Sequence, residues 1–105
     1  MATTLNNLGI LHSAQNRVDD ARQAYEEALK IRRELARKNP ETYLPDLAMT
    51  LNNLGNLHSD QNRMEDARQA YEEALNIYQR FAARDPEQFQ PEVTKLKGLL
   101  AGLGK

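Results

Sequence analysis

Two histidine–serine pairs, His12-Ser13 and His58-Ser59, are the residues in this sequence most suggestive of chemistry. A histidine can serve as a general base or a metal ligand, and a serine beside a base can serve as a nucleophile. Successive residues of a helix diverge by about 100 degrees, so adjacent helical positions do not form a hydrogen-bonded catalytic pair. The chain has no cysteine, which removes thiolate nucleophiles, thiolate metal sites and disulfides. We therefore predict that the protein is not an enzyme and holds neither a metal nor a cofactor.

Paired carboxylates are the second candidate, because two neighbouring acids can act as a general acid and a general base. Glu26 and Glu27 form one pair, and Glu72 and Glu73 form the other. Three of the four glutamates have a basic residue three or four positions away, which is the spacing of ion pairs on a solvated helix surface. We interpret these glutamates as surface residues rather than as catalytic groups.

The most basic stretch comprises Lys30, Arg32, Arg33, Arg37 and Lys38. This concentration of charge is not repeated later in the chain, whereas an RNA-binding repeat protein needs it in every unit. The formal net charge of the whole chain is only -1, which argues against a nucleic-acid footprint and against an anionic membrane surface. The sequence therefore predicts a solvated helix end, with no nucleic-acid partner and no membrane association.

An internal repeat organises the elements that carry these residues. The stretch Ala21–Leu29 reads ARQAYEEAL and returns unchanged at Ala67–Leu75. Of the 30 positions from Ala2 to Ile31, 24 are identical to the residue 46 positions later. A third copy begins near Gln90 and then loses the pattern. A fixed period of this length is typical of helical repeat proteins.

Each unit has the apolar spacing of two helices joined by a short turn. Leu5, Leu8 and Leu11 define one face of the first helix. Asn16 and Asn62 lie between the helices, where a tight reversal needs a residue that tolerates the left-handed backbone region. Acidic residues follow each turn, at the start of the second helix, where the helix dipole favours negative charge.

Prolines mark the other helix boundaries. The second helix of each unit is expected to extend to Asn39 or Asp85, because a proline disfavours helical geometry in the residue before it. Pro45 and Pro91 suit the first position of the next helix, where a missing N–H has no consequence. Five helices and no strands follow from this pattern.

Residues at equivalent places in the two units resemble the signature of the tetratricopeptide repeat family. The matching residues are Leu8-Gly9, His12, Ala21, Tyr25, Ala28 and Pro40, followed by Leu54-Gly55, His58, Ala67, Tyr71, Ala74 and Pro86. In this family's packing, Gly9 and Ala21 let paired helices approach closely and Tyr25 fills the space between them. The histidines then take a slot that usually holds an aromatic residue, which gives them a structural role. The sequence around Leu51–Leu57 is similar to the long repeats of the kinesin light-chain type.

The resemblance implies an all-α fold, an α-α superhelix or tetratricopeptide-like solenoid, with two 46-residue helix-turn-helix repeats and a C-terminal capping helix. We expect one domain over residues 1–105, divided into repeat 1 at about 1–43, repeat 2 at about 44–89 and a terminal helix at about 90–103. The apolar stripe of the terminal helix, Leu96 to Leu103, is expected to cover the second repeat.

The resemblance also implies a protein-interaction module, because the first helices of such repeats line a concave groove that holds a peptide of a partner protein. Carried over to this chain, the groove is lined by Asn6, Asn7, Ile10, Ser13, Met49, Asn52, Asn53, Asn56, Ser59, Asp60 and Lys95. Asparagine offers both an acceptor and donors, so these amides can pair with a peptide backbone. The basic clamp by which one subgroup grips acidic chaperone tails is not reproduced, since only Asn53 and Lys95 match it.

Two other functions remain open at this stage. Leucines at the uncapped ends could stack copies of the chain on one another, or two copies could exchange helices. Either arrangement would make the protein a self-assembling homo-oligomer. The near-identity of the units could instead mark a constructed repeat protein, or a fragment of a longer array, without a natural ligand. The chain start has neither a basic segment nor an apolar segment of a secretory signal, so a cytoplasmic location is expected.

Overall fold

The computed structural model describes residues 2–15 and 17–103, without the side chains of residues 2–4 and of Ser13. Within these residues the chain forms five α-helices and no strand, as the sequence predicts. The helices are α1 (Ala2–Ala14), α2 (Val18–Lys38), α3 (Pro40–Asp60), α4 (Met64–Ala82) and α5 (Pro86–Leu103). None of them carries an apolar stretch long enough to cross a membrane.

The helices form a slab two helices thick. Each helix packs against the next along the chain, and α1 also contacts α3. The extents are 37 × 36 × 20 Å, and 20 Å corresponds to about two helix diameters. The first helices α1, α3 and α5 therefore make one layer, and α2 and α4 make the other.

The turn inside the second repeat has the expected backbone geometry. Asn62 has a φ of 62°, which is the left-handed region predicted for it. Asn16, the equivalent residue of the first repeat, lies outside the described residues. Beyond each turn, acidic residues occupy the first turn of α2 and of α4, as the charge pattern predicts.

The predicted helix starts at Pro45 and Pro91 are wrong. Pro40 and Pro86 begin α3 and α5, so the other two prolines lie inside the helices. A proline at the first helical position has a preset φ and gives up only an N–H that would be unpaired anyway. This leaves Asn39 as the only residue between α2 and α3. Within α3, Pro45 has no N–H, so one interior hydrogen bond is missing, but the helix continues to Asp60.

A glycine–tyrosine contact holds the two helices of each repeat together, as the family resemblance implies. Tyr71 is 2% exposed, and a Cβ built on Gly55 would lie 2.6 Å from its Cε1 atom. The same contact joins Gly9 and Tyr25 in the first repeat. Only a residue without a side chain fits at either position, so the ring packs directly on the backbone of the neighbouring helix.

The terminal helix α5 covers the second repeat, as predicted. Leu96 is fully buried, and Leu99, Leu100 and Leu103 pack, half-buried, against the same core. That core also contains Tyr78 of α4. The apolar stripe of α5 is thus used largely within its own chain.

Candidate functional site

The layer of α1, α3 and α5 exposes one continuous stripe on each helix. On α3 the exposed and half-buried positions of this stripe are separated by three or four residues, which places them on one side of a helix. The residues 46 positions away continue the stripe onto the neighbouring helices. We call this surface the front face, and it consists of Asn7, Ile10, Asp46, Met49, Asn53, Asn56, Asp60, Glu92 and Lys95.

Most residues predicted to line a groove lie on or beside the front face. Exposed residues among them are Asn7, Ile10, Met49, Asp60 and Lys95, and half-buried ones are Asn53, Asn56 and Ser59. The side chain of Ser13 lies outside the described residues. The structure brings these groups together on adjacent helices, with α3 in the centre.

Asn6 and Asn52 were expected to face a ligand, but both are buried, with 2% and 7% of their surface exposed. The Oδ1 atom of Asn6 accepts hydrogen bonds at 3.3 Å from Thr50 Oγ1 and from Asn53 Nδ2. Asn6 therefore joins α1 to α3 instead of facing solvent. Each of these residues precedes a front-face residue, and the helical rotation of about 100 degrees turns it away from the front face.

The basic stretch of α2 is also not entirely solvated, contrary to expectation. Arg32 is only 3% exposed. Its Nη1 atom donates to Thr50 Oγ1 at 2.6 Å and to the carbonyl oxygen of Asp46 at 2.9 Å. A buried polar network consequently runs from α2 through Thr50 to Asn6, which the residue types alone do not reveal.

Internal hydrogen bonds orient two amides of the front face. Tyr71 donates from its hydroxyl to Asn56 Oδ1 at 2.5 Å, so the Asn56 NH₂ group is directed away from the tyrosine. Asn53 donates from Nδ2 to Asn6, which leaves its carbonyl oxygen as the remaining acceptor. One donor and one acceptor are thus held about one helical turn apart.

A small cavity of about 260 Å³ opens at one end of the front face, between α3 and α5. Met49, Tyr78 and Phe89 form its apolar walls, while Asp46 and Glu92 bring carboxylates to it. Burial, with smaller contributions from these two carboxylates, raises the pKa of Tyr78 to about 12. The sequence interpretation missed this end of the face, although stepping three residues back from Met49 and from Lys95 leads to Asp46 and Glu92.

The histidines and the paired glutamates form no catalytic arrangement among the described residues. His12 and His58 are half-buried between helices, and burial lowers the pKa of His58, so its ring favours the neutral form. No three His, Cys, Asp or Glu side chains in the described part of the chain come together as a metal site would require. Glu73 pairs with Arg33 of α2, across two helices rather than along one.

Comparison with known proteins gives a family for residues 1–80 of the chain. Two family models match the sequence, one over residues 1–40 and one over residues 33–80, and both are described as tetratricopeptide repeat. A search of curated proteins found no match.

Proposed function

Since this chain belongs to the tetratricopeptide repeat family, we propose that its front face binds an extended segment of a partner protein. Repeats of this family mediate protein–protein interaction, and they are generally scaffolds without enzyme activity. The partner segment lies across α1, α3 and α5, with α3 making the central contacts.

The orientation of Asn53 and Asn56 is the observation that carries this proposal. An extended peptide presents both N–H donors and C=O acceptors along its backbone. The Asn53 carbonyl oxygen can accept a hydrogen bond from a peptide N–H, and the Asn56 NH₂ group can donate one to a peptide C=O. Because both amides are held in place by other side chains, little side-chain entropy is lost when a ligand binds.

The cavity beside α5 adds a preference for the ligand's side chains. Met49, Tyr78 and Phe89 favour an apolar group, and the carboxylates of Asp46 and Glu92 favour a positive charge next to it. A long basic side chain satisfies both, because its methylene stem packs on apolar surface while its charged end remains solvated. We infer that the preferred segment carries a lysine or arginine at this end.

A phage-displayed library of unstructured peptides, selected on the native chain, tests the proposal. Asn53→Ala is expected to weaken the selected peptides by about fivefold to tenfold, the loss of one hydrogen bond. Gln69→Ala is the matched control, because Gln69 also carries an amide and is exposed on α4, in the other layer. If both variants bind equally well, or if selection yields no peptide, the front face is not the binding site.

Self-assembly is a second candidate, favoured by one observation on α1. Leu8 and Leu11 are 38% and 51% exposed, whereas the equivalent Leu54 and Leu57 of α3 are 6% and 4% exposed. In α3 these leucines pack against α2, in a cluster with Tyr25. We propose that the same leucine pair of α1 can pack on a second copy of the chain.

A further inference from the structure

A second groove, larger than the front-face cavity, lies in the opposite layer between α2 and α4. Its volume is about 610 Å³, and it is open to solvent rather than enclosed. Pro40, Leu44 and Leu47 from the beginning of α3 form its floor, and Ala36 and Ile77 form apolar parts of its walls. We call this space the back groove.

The rim of the back groove is basic. Lys30, Arg33 and Arg37 line it from α2, and Arg80 lines it from α4. Only two acidic side chains accompany these four, so the groove is locally positive in a chain whose net charge is -1. The back groove is therefore a local concentration of positive charge.

Two of the four basic side chains that line the back groove are in ion pairs. Arg33 binds Glu73 through two hydrogen bonds of 2.5 and 2.9 Å, which connect α2 to α4. Arg37 pairs with Glu34 of its own helix at 2.9 Å. Lys30 and Arg80 have no ion-pair partner among the described residues, so one unpaired cation remains on each wall.

We propose that the back groove binds an acidic segment of a partner protein, which inserts apolar side chains toward Leu44, Leu47 and Ile77. Its carboxylates lie against Lys30 and Arg80, one on each side of the groove. The apolar floor needs an apolar ligand, and the rim needs a negative one. A nucleic-acid backbone supplies the charge but leaves the apolar floor uncovered.

Two apolar surfaces of a second copy, on α1 and on α5, do not match this chemistry. The helix α1 contains no acidic residue, and its only titratable side chain is His12. The leucine stripe of α5 carries Lys95 and Lys97 beside it, which would face the basic rim with like charge. Charge complementarity therefore points to an acidic partner segment and not to these faces of another copy.

Binding at the back groove is independent of the proposed function, because the two surfaces lie on opposite layers and share no residue. Failure of one proposal leaves the other intact. The two are separated by mapping which amide signals of the protein move in ¹H–¹⁵N NMR spectra on addition of a ligand.

The probe is a panel of synthetic peptides in which Leu or Phe residues are separated by Asp and Glu. A parallel panel has Lys at every acidic position. We expect the acidic panel to shift signals from the second half of α2 and from Asn76 to Arg80, and to weaken as salt is added. Shifts confined to the front face, equal binding of the basic panel, or no binding by any acidic peptide would overturn the proposal.

Charge reversal supplies the decisive variants. Lys30→Glu and Arg80→Glu are each expected to weaken the acidic peptides by about tenfold without unfolding the chain, since neither residue is in an ion pair among the described residues. Lys97→Glu is the matched control, because Lys97 is exposed on α5 and lines neither the back groove nor the front face. Equal weakening by all three variants indicates a general charge effect and contradicts a specific groove.

Two further measurements address other occupants. If a single-chain fatty acid gives the expected shifts while the acidic peptides give none, the groove holds an anionic amphiphile and the proposal is wrong. If the same signals move on raising the protein concentration without any ligand, a second copy fills the groove, which also overturns it.

Discussion

Equivalent asparagines of the two repeats have different hydrogen-bonding environments. Asn6 accepts from Thr50 and Asn53, but the residues 46 positions beyond that pair are Leu96 and Leu99. Asn52, the counterpart of Asn6, consequently has a buried Oδ1 atom without a hydrogen-bond partner among the described residues. The second repeat thus has the same asparagine without the groups that pair with it in the first repeat.

This difference predicts opposite effects for one substitution at two equivalent positions. Asn52→Leu removes a buried unpaired acceptor, so the free energy of unfolding is expected to rise by about 1 kcal/mol. Asn6→Leu removes an acceptor that has hydrogen-bond donors, so the free energy of unfolding is expected to fall by about 1 kcal/mol. Urea unfolding of both variants measures the two values, and a change of the same sign in both would contradict the hydrogen-bond assignment.

Tyr78 predicts how stability depends on alkaline pH. Its pKa is about 12 in the folded chain, above the usual value near 10, so the folded state favours the neutral phenol. The stabilisation of the folded state by the neutral Tyr78 phenol is complete below about pH 10 and is lost as the pH rises toward about 12. Between about pH 9 and pH 11, the free energy of unfolding of the native chain should fall by about 1 kcal/mol more than that of the Tyr78→Phe variant.

Unfolding by denaturant at several pH values checks this difference. Tyr25 and Tyr71, whose pKa values are also raised by burial, are present in both proteins and cancel in the comparison. Parallel loss of stability in the two proteins would mean that the Tyr78 hydroxyl is solvated in the folded state.

Sequence patterns predict side-chain exposure only as far as one helix determines it. Met49 and Lys95 are exposed as expected, because the surface of their own helix decides their position. Asn6 and Arg32 are buried by residues of α3 that are 44 and 18 positions away along the chain. Periodicity within a helix carries no information about such neighbours, so these two residues could not be assigned from the sequence.

The elements follow from the sequence more closely than the individual side chains do. The repeat, the helix count and the position of Asn62 were all predictable from spacing and turn chemistry. The starts of α3 and α5 were not, because Pro40 and Pro45 both satisfy the rule for a first helical position. The rule alone does not choose between them, and the observed helix begins at the earlier proline.

Close packing within a helix pair predicts contrasting effects for two glycines. Gly55→Ala is expected to lower the free energy of unfolding by about 1 to 3 kcal/mol, because its Cβ would overlap the ring of Tyr71. Gly98 is in α5, and a Cβ added there would have nothing within 4 Å. Gly98→Ala should therefore raise the free energy of unfolding by about 1 kcal/mol. Thermal unfolding of both variants tests the packing, and stabilisation by Gly55→Ala would contradict it.

At the scale of the whole molecule, the exposed leucines of α1 predict concentration-dependent association. Light scattering over about a hundredfold range of concentration is expected to give a mass that rises above 12.0 kDa. Leu11→Glu should hold the mass at that of one chain, whereas Ile10→Glu, on the front face, should leave association unchanged. A constant mass of one chain for the native protein would exclude self-assembly through α1.

The 20 Å thickness of the slab has a further consequence for binding strength. An extended chain spans about 3.3 Å per residue, so a linker of about twenty residues can pass around the edge from one face to the other. If one partner chain carries a segment for each face, docking of the first segment holds the second at an effective concentration of about a millimolar. Two individually weak contacts on opposite layers would then combine into avidity, and one partner chain would hold the protein from both sides.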